Sequence, residues 1–115
     1  MGSVTADERP SPETLLARTR GALARRGVQT TEKRMFGEVA LLTEGEIVVS
    51  TRRSGGLLVR CDAVEHDALT ALPGARTARM GARSMGAGWM EVDGDAIADD
   101  AALDAWVDAA LRRRG

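Results

Sequence analysis

The chain has 115 residues and a mass of 12.2 kDa, enough for one domain and too short for two cores with a cleft between them. Sixteen basic and seventeen acidic side chains give a formal charge of -1, which excludes the strong basic field that drives salt-dependent binding to nucleic acid. With one histidine (His66), one cysteine (Cys61), no tyrosine and no asparagine, the chain lacks most of the catalytic repertoire and cannot assemble a His/Cys zinc cluster.

In chain order, residues 1–10 are polar and aperiodic and read as a loose leader, with a single domain over 11–115. Ser11-Pro12-Glu13 is a helix start: a capping hydroxyl, a proline suited to the first turn, and an acid at the positive dipole end. Leu15, Leu16, Thr19 and Leu23 form one face, and Gly27 a left-handed stop, so a helix is predicted over Pro12 to Arg26. A polar connection follows. Strands are predicted at Val39 to Leu42, Ile47 to Thr51 and Leu57 to Arg60, with Ile47, Val49 and Thr51 on one side of the middle one. Glu44-Gly45 and Ser54-Gly55-Gly56 supply the positive φ angles of tight hairpins.

Asp62 caps a second helix with Val64, Ala68, Leu69 and Leu72 facing inward, ended by Pro73-Gly74. A strand near Arg76 to Met80 then pairs with Trp89 to Val92 across the glycine-rich segment Gly81 to Gly88. Leu103, Trp106, Val107, Ala110 and Leu111, at helical spacing, predict the last helix, whose dipole opposes Arg112, Arg113 and Arg114. The fold class is α+β, an antiparallel sheet with flanking helices in the order α-β-β-β-α-β-β-α.

Candidate sites thin out on inspection. Gly81 and Gly86 have the first spacing of a phosphate-binding loop, but Ala87 replaces the lysine, Gly88 replaces the Ser/Thr, and a strand follows. Asp93, Asp95, Asp99 and Asp100 lack the order of a calcium loop and are better explained as caps and solvated charges. His66, between Glu65 and Asp67, has no nucleophile to serve. Fifteen arginines against the single Lys33 read as composition bias. No catalytic, cofactor-binding or metal-binding residue is assigned. One cysteine forbids an internal disulfide, and no apolar run exceeds four residues, so a cytoplasmic location without membrane contact is expected. Three aromatics, Phe36, Trp89 and Trp106, are too few for a base-stacking platform, and nucleic-acid binding by this domain alone is not expected.

Arg34-Met35-Phe36-Gly37, Leu57-Leu58-Val59-Arg60, Pro73-Gly74-Ala75-Arg76, Arg83-Ser84-Met85, Gly88-Trp89 and the closing Leu103, Trp106 and Val107 together resemble the N-terminal domain of the TfoX/Sxy family. The resemblance implies a fold similar to the secretion-chaperone-like type and a regulatory role linked to natural competence. In full-length regulators a second helical domain follows, and none is expected here. Departures are Glu38 for a second glycine, Ser84 for proline, one extra residue between Met85 and Trp89, and an Arg112-Arg113-Arg114-Gly115 ending. The motif also has a structural reading, with Met35 and Phe36 entering the sheet and Arg60 and Arg83 paired to acids such as Glu38 or Glu91.

The expected function is a non-catalytic regulatory or protein-interaction module, monomeric or homodimeric, with Arg34, Arg60, Arg83 and Trp89 as its partner-binding surface. The competing reading is an enzyme or accessory that binds a small molecule or nucleic acid in an arginine-lined groove near Arg60, Arg76 and Arg83. An uncovered apolar sheet face would distinguish them.

Overall fold

The computed structural model describes residues 12–112. The capping Ser11, the leader over 1–10 and the terminal Arg113 and Arg114 lie outside the described residues.

Helix α1 spans Pro12–Arg25 and buries Leu15, Leu16, Thr19, Ala22 and Leu23. Thr19 sits in the core without penalty because its hydroxyl donates to Leu15 O at 2.7 Å. The helix ends in a Schellman motif: Gly27 has φ 73°, Val28 N–H donates to Leu23 O, and Gly27 N–H donates to Ala24 O. Strands β1 (Thr31–Met35), β2 (Glu38–Thr43), β3 (Glu46–Thr51) and β4 (Leu57–Arg60) follow as an antiparallel meander. A 3-10 turn, Ala63–Glu65, capped by the Asp62 carboxylate accepting from Val64 N–H, leads into the five-residue helix α2 (His66–Thr70). Then come β5 (Ala75–Thr77), the small hairpin β6 (Arg79–Met80) and β7 (Arg83–Ser84), β8 (Trp89–Val92), a 3-10 turn at Gly94–Ile97, and helix α3 (Asp100–Arg112).

Six strands make one antiparallel sheet in the order β1-β2-β3-β4-β8-β5. The α+β antiparallel class is as predicted, and β5 pairs with β8 as expected. Two elements extend the predicted order. Thr31-Glu32-Lys33-Arg34-Met35 has no apolar alternation, which predicts a polar connection; pairing with β2 makes it strand β1, with all five residues exposed. The hairpin β6–β7 forms across the start of the glycine-rich segment, turned by Gly81 at φ 65°.

One face of the sheet carries Leu41, Val49, Leu57, Val59, Met90 and Val92 against α1 and α3, whose inner residues include Leu23, Leu103, Trp106 and Val107. A register shift between Leu41 and Leu42 pairs them with Val49 and Ile47, leaving Val48 as an extra residue in β3. This overturns the simple alternation: Val48 joins the core, while Ile47, expected on the side of Val49, lines the opposite face. The second helix also differs from expectation. Only Leu69 is buried there; Val64, Ala68 and Leu72 are exposed, because α2 is too short to lay a stripe on the sheet.

Many arginines have specific partners. Arg18 and Arg25 of α1 and Arg26 just after it reach Asp100, Asp104 and Asp108 of α3 at 3.0, 3.0 and 2.6 Å, and Arg18 also donates to Ile97 O. Arg112 reaches Glu65 at 2.8 Å. The Arg26 hydrogen bond holds the Asp108 carboxyl below its ordinary range, and Arg112 does the same for Glu65. A carboxylate with a lowered folded pKa contributes fully above its unfolded pKa, about 4, and its contribution is lost as pH falls through the folded value. Stability should therefore decline on acidification below about pH 4. Asp108→Asn should flatten that limb while costing no more than ~1 kcal/mol at neutral pH, since the pair is solvent-facing; urea unfolding at a series of pH values measures both.

Candidate interaction groove

No helix among the described residues covers the second face of the sheet. Lys33, Ala40, Ser50 and Leu58 stand opposite one another across β1 to β4, one row of side chains on that face. Ala40, Ser50 and Leu58 are nonetheless buried, as the floor of a hollow of about 280 Å³. Its walls are the β1–β2 turn, with Met35 and Phe36, and the β6–β7 hairpin with the loop after it, which bring in Met80 and Met85 beside Trp89. Lys33, Glu38 and Arg52 supply charge to the lining, with Glu38 and Arg52 3.5 Å apart.

The lip is apolar and open. Phe36 is 88% exposed and Met80 68%, and Met35 is also exposed. Met35 enters the sheet as the last residue of β1 but keeps an exposed side chain, whereas Phe36, expected in the sheet, stands out from it in the turn. Phe36 and Gly37 are the two central residues of a hairpin closed by the Met35 and Glu38 pair, with φ of 53° and 80°. Positive φ at both positions is the type I′ pattern, which favours Asn-Gly and penalises a bulky aromatic. A Cβ at Gly37 would also lie 2.6 Å from Arg53 Cδ, so that exposed side chain would have to move aside. The chain thus spends backbone strain to display a phenyl ring to solvent. Phe36→Asn should relieve that strain and raise stability by ~1 kcal/mol, about 4–8 °C in Tm, in a thermal melt.

The model of the family described as the TfoX N-terminal domain matches residues 22–113. The chain belongs to that family. No curated protein and no solved structure matches the chain. TfoX N-terminal domains are a regulatory, competence-associated and non-enzymatic type of module.

Within this TfoX N-terminal domain the motif residues acquire positions. Arg34-Met35-Phe36-Gly37 is the last part of β1 and its turn, and Gly88-Trp89 opens β8. Ser84, in the place of proline, accepts from Gly86 N–H through its hydroxyl at 3.1 Å and shapes the lengthened turn before Trp89. Of the four predicted surface residues, the fold brings two together: the Arg60 guanidinium lies 5.1 Å from the Trp89 ring centroid, a cation–π contact, and Trp89 lines the groove. Arg83 sits on the hairpin beside Met80 and Met85. Arg34 falls in the row of Val39 and Glu32, on the helix-covered side, with its guanidinium 3.9 Å from Glu32. Ala40, Ser50, Leu58 and Met80 escaped the sequence reading. The signal for Ala40 and Leu58 was that the central strands are apolar on both faces; Ser50 and Met80 had none.

The arginine-lined groove does not form. Arg76 is paired to Glu91 at 3.4 Å and Asp93 at 2.8 Å, Arg60 is stacked on Trp89, and Arg83 lies on the hairpin. Neither Arg60 nor Arg83 takes the acids first suggested, since Glu38 is held by Arg52 and Glu91 by Arg76. His66 hydrogen-bonds the Thr77 hydroxyl at 2.8 Å, tying α2 to β5. Cys61 is buried, and burial, reinforced by Glu65 and Asp62, pushes its thiol pKa up and keeps it unreactive. Asp99 accepts from Ala101 N–H at the start of α3, and Asp100 is held by Arg18.

Proposed function

We propose that this domain is a non-catalytic cytoplasmic interaction module of transcriptional regulation that grips an apolar segment of a regulatory protein in the groove between Phe36 and Met80. The observation that carries the reading is the exposed Phe36, held at positive φ on the lip of an apolar hollow. A side chain with no packing role in a strained position is explained by contact with another molecule. Methionines at 35, 80 and 85 suit such a site because their flexible thioether chains adapt to differing shapes. Arg83 and the Arg60–Trp89 pair then form the rim, which orients the partner and excludes water around the apolar contact.

The test is a photo-crosslinker placed at 36 or 80 in the full chain, with a control at Glu13 on α1, in cells or extract that contain the natural partners. The reading requires one partner captured from 36 and 80 and not from 13, with capture abolished by Phe36→Asp and Met80→Asp in variants whose circular dichroism is unchanged. Equal capture at all three positions would sink it, as would a metabolite that raises Tm by several degrees while the two aspartate variants bind it normally.

A further inference from the structure

The β1 edge has properties that the groove does not explain. β1 is the outer strand of the sheet, its five residues are all exposed, and its other long side has no partner strand among the described residues. Charged edges usually keep sheets apart. Here the charges have an order that reverses that effect.

The two-residue turn at Phe36-Gly37 sets which backbone groups face outward. In such a hairpin the closing pair, Met35 and Glu38, is hydrogen-bonded, and bonded and non-bonded pairs then alternate along the ladder. Thr31, Lys33 and Met35 therefore spend their N–H and C=O groups on β2, while Glu32 and Arg34 turn theirs to the open edge. Two residues of opposite charge, two apart, carry every outward donor and acceptor of the strand. A second β1 laid antiparallel with its centre on Lys33 places Glu32 against Arg34 and Arg34 against Glu32, so both bonded pairs are also ion pairs. Centring on Glu32 would oppose two glutamates, and centring on Arg34 two arginines, each destabilising.

We propose that the β1 edge is a self-association surface whose occupant is a second copy of this chain, joined by two symmetric Glu32–Arg34 pairs about an axis through Lys33. Such an interface is isologous and closes at a dimer. Because the axis is perpendicular to the sheet, the two helix-free faces open to the same side, side by side. Its costs are the approach of the two Lys33 side chains, long enough to splay into solvent, and the sharing of Glu32, which is already paired to Arg20 of α1 and lies 3.9 Å from Arg34 of its own strand.

Sedimentation equilibrium of the 115-residue chain over a wide concentration range tests this. The wild type should form dimers. Glu32→Arg and Arg34→Glu should each weaken association on the order of tenfold or more, because each turns both attractive pairs into repulsive ones. Mixing the two variants should yield a heterodimer, and the double exchange should restore the homodimer. A variant that had merely lost its fold would regain nothing on mixing. Lys33→Thr should tighten the dimer, since only this register sets residue 33 against itself. A chain that stays monomeric at every concentration overturns the proposal, and so does a dimer indifferent to both charge reversals or weakened by Lys33→Thr.

Discussion

Trp106→Ala should cost ~3–5 kcal/mol, a large fraction of the ~5–15 kcal/mol that holds a domain of this kind together. Trp106 is 4% exposed on the inner face of α3 and belongs to the single core cluster that joins both long helices to the sheet. Removing the indole deletes the largest side chain of that cluster, and the surrounding backbone cannot collapse to fill the space. Urea unfolding followed by far-ultraviolet circular dichroism measures the loss. A loss below 1 kcal/mol would show that α3 is not packed on the sheet as described. The variant retains Trp89 as its one indole, so its remaining fluorescence reports the groove directly.

The second large effect concerns two glycines whose role is close approach. A Cβ on Gly56 would lie 2.5 Å from Val92 O, and one on Gly94 would lie 2.5 Å from Gly55 O. These backbone contacts clamp the β3–β4 turn against the exit of β8, and neither side can yield by a rotamer change. Gly56→Ala and Gly94→Ala should each cost ~1–3 kcal/mol. The double variant should cost less than their sum, because the first alanine already separates the surfaces that the second would push apart. Gly21 is the internal contrast. It lies mid-helix, where a Cβ would meet only Arg25 Nη1 at 3.8 Å, so Gly21→Ala should stabilise by ~0.5–1 kcal/mol. Thermal melts of the four variants give the three signs; a destabilised Gly21→Ala or a neutral Gly94→Ala would contradict the packing described.

Phe36 links stability to function in the opposite direction. Its replacement by asparagine is expected to strengthen the fold and to empty the lip of the groove, so stability and partner capture should part company. A residue kept for packing would lose both together.

Short-range physics carried much of the architecture. The last helix followed from the spacing of Leu103, Trp106 and Val107, the first from Leu15, Leu16, Thr19 and Leu23, and the end of α1 from Gly27. The Glu44-Gly45 hairpin followed from the conformations those residues tolerate, and both have positive φ. Each of these preferences is held within a few residues, so one sequence suffices to read it.

The remainder depended on partners distant in the chain. β1 is polar and aperiodic, and becomes a strand because the Phe36-Gly37 turn returns it to β2. The extra residue at Val48 moves Ile47 to the free face, a reversal that a period-2 pattern cannot announce. Arg18, Arg25 and Arg26 meet aspartates about 80 residues away on α3, which is why they read as compositional excess. The groove has the same origin. Ala40, Ser50 and Leu58 come from three strands, and Met80 from a hairpin beyond them, so no local window contains the site. Length, charge balance and the missing residue types set the expectation of one domain poor in catalytic groups. Which sheet face the helices cover was decided only when α1 and α3 packed side by side on the row of Leu41, Val49 and Val59, because two helices buried there leave the other face to the β1–β2 turn and the β6–β7 hairpin.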